Sequence, residues 1–188
     1  VETELRRALR RLKPERRQGR LARRPDAELP FVGGIAAPRV LLLDTTVYVD
    51  GLEGTLPPDV DDLLETRTLI HHVVVLGELS HLFGRLDPGR PGTARALDEL
   101  EGVIAEIPAH RTETTASART AIEAGILAGL VLRLGGTSAG GEVAAMNDAL
   151  LYLHAVERGY TVLTRNIRDF DLMDQLLPEG RVLFYRRG

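Results

Sequence analysis

The sequence predicts a three-layer α/β fold, helices on both faces of a mostly parallel central sheet, on three observations. Short apolar runs that end in polar turns (VLLLD at Val40–Asp44, TVLT at Thr161–Thr164, VLFY at Val182–Tyr185) have the composition of buried parallel strands. Stretches with apolar residues at helical spacing alternate with them. Four acidic residues, Asp44, Glu78, Asp148 and Asp169, fall where the chain passes from strand to helix or loop.

Taken in order, Leu5, Leu9 and Leu12 among Arg6, Arg7, Arg10 and Arg11 give a short basic amphipathic helix that Pro14 should end. The Arg-rich, Pro- and Gly-punctuated stretch that follows reads as linker, so residues 1–38 are expected to be a basic extension and residues 39–188 the domain. A solvated tail, sequence upstream of the true start, or a nucleic-acid arm are its readings. VLLLD is the first strand, and Asp59 to Thr66 a helix after Pro57-Pro58. The apolar residues of VVVLGELSHLF lead into a helix carrying Glu78. Ala94 to Ile107 and the Ala/Leu-rich Ala116 to Leu134 are helical by spacing. GGTSAGG (Gly135–Gly141) is a turn. Asn147 is placed to cap a helix that runs to Arg158 and stops at Gly159. TVLT, a helix over Phe170–Leu177 and VLFY complete the chain.

Composition narrows the function classes. A chain of 188 residues suits one domain, and an apolar share of 44% excludes a disordered one. No apolar run approaches the ~20 residues of a membrane span, and charge near the N-terminus speaks against a signal peptide, so a cytoplasmic protein is expected. Zero Cys excludes disulfides, thiolate catalysis and Cys-based zinc sites. The net charge of −3 hides an asymmetry: residues 1–38 hold ten Lys/Arg and five Asp/Glu, leaving 14 basic and 22 acidic residues in the remainder. So acidic a body suits a cation site better than a phosphate backbone.

Singly, each of the four acids has a structural role open to it. Asp44 can form an Asx-turn, Glu78 and Asp148 can offset a helix dipole near a helix start, and Asp169 can cap the helix that follows. Jointly they point elsewhere. Ligands of open α/β sheets sit beyond the C-terminal strand ends, and Asp44, Asn166 and Asp169 directly follow such ends. Carboxylates gathered there repel one another unless a cation neutralises them, and oxygen-only donors suit Mg²⁺ or Mn²⁺.

Other constellations are weaker. Gly135 and Gly140 match the glycines of a phosphate loop, but Gly141-Glu142 stand where Lys-Ser/Thr belong. His71, His72, His81, His110 and His154 form no HExxH pattern and read as satisfied or solvent-facing. Ser80, Ser117 and Ser138 lack the glycines of a nucleophile elbow. An aromatic content of 4% leaves few stacking platforms for bases, and Tyr48, Tyr152, Tyr160 and Tyr185 are expected to pack.

The motifs VLLLDTTVYVD, LGELSHL and NDALLYLHAVERGYTVLTRN followed by IRDF, in that order, resemble the PIN-domain ribonucleases, in particular VapC-type toxins of toxin–antitoxin pairs. The resemblance runs from Arg39 to Tyr185, and its most specific part is the C-terminal block. It implies a PIN-like α/β/α fold and a Mg²⁺- or Mn²⁺-dependent endoribonuclease with a cognate antitoxin protein and a homodimeric state. Asp44, Glu78, Asp148 and Asp169 would be the metal-binding and catalytic acids. Thr46, Thr164 and Asn166 would assist them, and Arg165 and Arg168, with Arg111 and Arg119, would contact RNA phosphates. Asn166 stands where some relatives place an acid. The Arg-rich segment before Arg39 and the long helical stretch between Glu78 and Asp148 depart from the compact pattern. A catalytically weak PIN-like module that binds RNA or protein, or another divalent-metal phosphoesterase, are the alternatives. Against an aspartyl-phosphate enzyme, Thr45-Thr46 follow Asp44 where Asp-x-Asp would be needed.

Overall fold

A computed structural model describes residues 2–36, 38–115, 117–136 and 140–188. Its elements are α1 (Glu2–Leu12), β1 (Val40–Leu43), α2 (Thr45–Leu52), α3 (Pro58–Thr66), β2 (Thr68–His72), α4 (Val73–Arg85) and α5 (Thr93–Ala105). They continue with β3 (Thr112–Glu113), α6 (Ala118–Gly135), α7 (Glu142–Arg158), β4 (Thr161–Thr164), α8 (Ile167–Leu176) and β5 (Val182–Phe184).

The five strands form one all-parallel sheet in the order β3-β2-β1-β4-β5. Leu41 lies between Leu69 of β2 and Thr161 of β4, and Val162 pairs with Val182. The central strands are apolar because helices cover both their faces: Leu41, Leu42, Val162 and Leu163 are wholly buried. The chain builds outward from β1 through β2 to β3, then returns to the other side of β1 for β4 and β5. The strand order therefore reverses between β1 and β4, the switch point where open α/β sheets form a crevice at the C-terminal strand ends.

Helix limits follow local chemistry. Ser117 caps α6, its Oγ accepting from the Thr120 N–H at 3.0 Å. Gly159 ends α7 at φ 72°, a conformation that costs glycine little. Three expectations change. The strand before α4 is TLIHH, and VVV is the first turn of that helix, capped by the His72 ring. Asn147 does not cap α7, which begins five residues earlier at Glu142. The last helix starts at Ile167, and its cap is Asn166 rather than Asp169, the Asn166 Oδ1 accepting from the Asp169 N–H at 3.4 Å. The predicted helix start at Ala116 and Thr137, Ser138 and Ala139 of the predicted turn lie outside the described residues.

The N-terminal segment is neither a solvated tail nor a linker. α1 packs on α6 and buries Ala8 and Leu12. Arg11 reaches the buried Glu123, and also Glu179 at 2.8 Å. Arg24 binds the buried Asp171 at 2.6 Å and Asp174 at 2.6 Å. Residues 30–32 run beside β5: Phe184 N donates to the Pro30 carbonyl and Val32 N to the Phe184 carbonyl, each at 2.9 Å. That pairing covers an edge which would otherwise offer open backbone groups.

Candidate metal centre and the cleft beside it

At the switch point, β1 delivers Asp44 and β4 delivers Thr164, Arg165 and Asn166 to one crevice. Asp44 is buried, and its Oδ2 accepts from the Thr46 hydroxyl at 2.6 Å and the Thr164 hydroxyl at 2.7 Å. Each hydroxyl is itself fixed by backbone: Arg165 N donates to Thr46 Oγ1 at 3.1 Å, and Asn166 N to Thr164 Oγ1 at 2.8 Å. The exits of two adjacent strands are thereby tied through one carboxylate oxygen.

Two further acids arrive from helix interiors. Glu78 lies in the second turn of α4 and Asp148 at the seventh residue of α7, so neither sits at the helix start that the sequence suggested. The Glu78 carboxylate accepts from the Thr45 hydroxyl through one oxygen and from the Asn147 amide at 2.7 Å through the other. Asp148 Oδ2 accepts from Asn166 Nδ2 at 2.9 Å, and the same amide reaches Asp169 Oδ2 at 3.2 Å. Asn166 thus caps α8 and links the third and fourth acids. Asn147 and Thr45 hold Glu78, roles the sequence did not reveal because they depend on which helix faces cross.

The electrostatics follow from this gathering. Burial pushes the Asp44 carboxyl above its ordinary range, the Thr46 and Thr164 hydrogen bonds oppose the shift, and the charge of Glu78 adds to it. Asp148 is raised further, first by desolvation and then by the facing charges of Asp44, Asp169 and Glu78. All four predicted acids therefore share one neighbourhood. As they stand, no set of three or more His, Asp or Glu among the described residues is arranged to hold a metal ion. Hydrogen bonds from threonine and asparagine span the pocket instead. The donor chemistry still fits a hard divalent cation: oxygen ligands only, and mutual repulsion that such a cation would relieve.

Beside the acids opens a basic cleft of about 560 Å³ lined by Arg23, Thr46, Arg165, Asn166, Ile167, Arg168 and Arg186. Arg165 is anchored on Asp50, which is buried and also accepts from Tyr185 at 2.9 Å and Arg187 at 2.7 Å. Burial works to raise Asp50, and the hydrogen bonds from Arg165 and Tyr185 outweigh it, so it stays below the usual carboxylate range. Of the arginines singled out in the sequence, Arg165 and Arg168 line this cleft. Arg111 and Arg119 do not: Arg111 borders a separate apolar cavity with His71, and Arg119 pairs with Glu123. Arg23 and Arg186 escaped the sequence reading because one lay in the presumed linker and the other in the last residues.

His81 and His110 face solvent, and the other three histidines are held by hydrogen bonds. His71 Nδ1 meets the Tyr48 hydroxyl, His72 Nε2 meets Thr115 at 3.0 Å and His154 Nε2 meets Glu113 at 2.9 Å.

No family model and no curated protein matches the chain. Solved structures do share its fold. VapBC2 from Rickettsia felis, bound to a DNA fragment from its promoter, superposes with a TM-score of 0.50 at 20% identity, covering 78% of this chain and 99% of that one. FitAcB from Neisseria gonorrhoeae gives 0.53 at 19% identity, covering 77% and 96%. VapBC-5 from Mycobacterium tuberculosis, a member of the VapBC family of toxin–antitoxin systems, gives 0.50 at 21% identity, covering 79% and 100%. The likeness is one of fold: an α/β/α PIN-like domain around an all-parallel five-stranded sheet.

Proposed function

We propose that the protein is a Mg²⁺- or Mn²⁺-dependent endoribonuclease, the toxin of a toxin–antitoxin pair. The observation that carries this reading is the convergence of Asp44, Glu78, Asp148 and Asp169 on the β1/β4 switch point, within reach of one another's charge. The basic cleft alongside supports a polyanionic substrate. The fold shared with structures of VapBC toxin–antitoxin systems supports the biological setting, with a cognate antitoxin protein and a homodimer belonging to the same reading.

Asp44, Asp148 and Asp169 would hold the cation, with Glu78 beside them. Bound there, a divalent ion would polarise the scissile phosphate and lower the pKa of a water. The protein's own work is positioning. Thr46 and Thr164 lock the Asp44 carboxylate in one orientation. Asn166 restrains Asp148 and Asp169 from the cap of α8. Asp148 holds a proton more tightly than an ordinary carboxyl, and a cation bound there would favour its ionised form. Glu78, clamped by Thr45 and Asn147, is the carboxylate that orients the attacking water.

RNA cleavage with and without Mn²⁺, comparing wild type with Asp44→Asn and Asp148→Asn, tests the proposal. A nuclease loses cleavage in both variants and on chelation while staying folded. RNA bound equally by all three chains and cut by none would mark a binding module. Hydrolysis of phosphomonoesters with internal linkages left intact would mark a phosphatase.

A further inference from the structure

The basic cleft gathers guanidinium groups from three remote parts of the chain: Arg23 before β1, Arg165 and Arg168 at the β4–α8 junction, and Arg186 after β5. It shares Thr46 and Asn166 with the carboxylate pocket, where the same two residues hold Asp44 and Asp148. The first turn of the ten-residue α8 also lines it, so helix-end N–H groups add to its positive potential. Among the described residues, Ile167 is its one apolar lining residue, and no aromatic ring lines it to stack a base.

The four arginines are not equivalent. Arg165 is braced on the buried Asp50, and Arg168 donates to the Gly135 carbonyl at 2.6 Å. Arg23 and Arg186 instead share one exposed acid: Arg23 binds Asp26 Oδ1 at 2.6 Å and Arg186 binds Asp26 Oδ2. The Arg186 side chain is 58% exposed and that of Asp26 47%. Surface pairs of this kind contribute little to stability, so the phosphate of a polyanionic strand can displace the carboxylate. The Arg186 guanidinium also lies 5.5 Å from the Phe31 ring, which fixes its plane without consuming its donors.

We propose that this cleft is a second phosphate subsite, taking the backbone phosphate next to the scissile one on an RNA strand, with Arg23 and Arg186 as its binding residues and Asp26 as the counter-anion they release. The proposal rests on the ribonuclease reading above and extends it. Because its contacts are to backbone phosphate, the subsite holds the strand without regard to sequence. The N-terminal segment becomes part of the substrate site through Arg23.

The test is Mn²⁺-dependent cleavage kinetics of the full chain on two RNAs of unrelated sequence, measured over a range of KCl. Arg23→Gln and Arg186→Gln should each raise KM by about three- to tenfold on both RNAs and leave kcat within about twofold. In the double variant the slope of log KM against log[KCl] should fall by about 0.7, the contribution of the one phosphate contact that the subsite makes on a single strand. Asp26→Asn should act in the opposite sense and lower KM. Arg23→Lys and Arg186→Lys retain the charge and should restore the slope, and Arg95→Gln, whose pair with Glu99 lies outside the cleft, should behave as wild type. Wild-type KM and slope in the Gln variants would overturn the subsite and leave the ribonuclease reading standing. Lysine variants as impaired as glutamine variants would overturn it too, because they would mark a purely structural role. A wild-type chain that cuts neither RNA would overturn both.

Discussion

Replacing Asp148 by Asn removes one carboxylate from a pocket where four repel, and its consequence for the metal-free protein is a gain in stability. The folded-state carboxyl is held well above its ordinary value by burial and by Asp44, Asp169 and Glu78, whereas in the unfolded chain it titrates near ~3.9. Between those two values the folded protein binds more protons than the unfolded one. Stability therefore falls as pH rises through that window, and the whole penalty is present above it. Each tenfold change in the acidity constant corresponds to about 1.4 kcal/mol, which for a chain of this size is about 3–6 °C in Tm. With EDTA at pH 8, Asp148→Asn should melt higher than wild type, and the difference should shrink towards pH 4. Mg²⁺ should reverse the order. At a hundred times its Kd it adds about 2.7 kcal/mol to the wild type, about 5–11 °C, and little to a variant lacking that oxygen charge. Calorimetric scans of both proteins at several pH values, with and without Mg²⁺, make the measurement. A variant that melts lower than wild type in EDTA at pH 8, or that gains as much from Mg²⁺, would refute the electrostatic account of the pocket.

Three other outcomes are expected. Arg24→Met strips the buried Asp171 of its cation and should cost about 3 kcal/mol, seen as a Tm lower by about 6–12 °C. An unchanged Tm would mean that the N-terminal segment does not hold the body together. Asn147→Ala frees one oxygen of Glu78 from a charge-assisted hydrogen bond worth about 1.5–3 kcal/mol, so kcat should drop ten- to a hundredfold with KM nearly constant. A rise in KM alone would contradict Glu78's role in orienting the attacking water. His72 is pushed down to about 4 by burial and by the neighbouring His154, so protons bind the unfolded state preferentially below the ordinary histidine range. It should withdraw about 3 kcal/mol of stability as pH falls from 6.5 towards 4, and His72→Gln should flatten that acid limb of the Tm profile.

The acids could be found in the sequence because a strand end fixes position in a way that a helix interior does not. VLLLD and TVLT are buried, apolar and short, so the residue after each lies at the C-terminal edge whatever the packing around it. That is how Asp44, Asn166 and Asp169 came to be assigned together. Glu78 and Asp148 read as residues near helix starts facing that edge, but they lie in the second turn of α4 and the middle of α7, and nothing local shows that those turns face the same crevice. Asn147 illustrates the converse error. Local propensity makes it a helix cap, but α7 starts five residues earlier, and the amide is used across the pocket on Glu78. The N-terminal segment was misread for a related reason. Its Arg, Pro and Gly content resembles linker, and its partners, Glu123, Asp171, Asp174 and Glu179, lie more than a hundred residues away in sequence.

That misreading also explains the charge asymmetry. A body carrying 22 acidic and 14 basic residues would repel RNA from the pocket that its carboxylates build. Folding the basic segment back neutralises two buried acids, through Arg11 on Glu123 and Arg24 on Asp171, and carries Arg23 to the rim of the site. Arg23 and Arg24 are adjacent in sequence and serve opposite purposes, one side chain turned to the cleft and the next to the core. Substitution separates the two: Arg24→Met removes the cation of a buried acid, whereas Arg23→Gln removes a charge paired with the exposed Asp26. Arg23→Gln should therefore melt close to wild type yet show the raised KM and shallower salt dependence, whereas Arg24→Met should lower Tm.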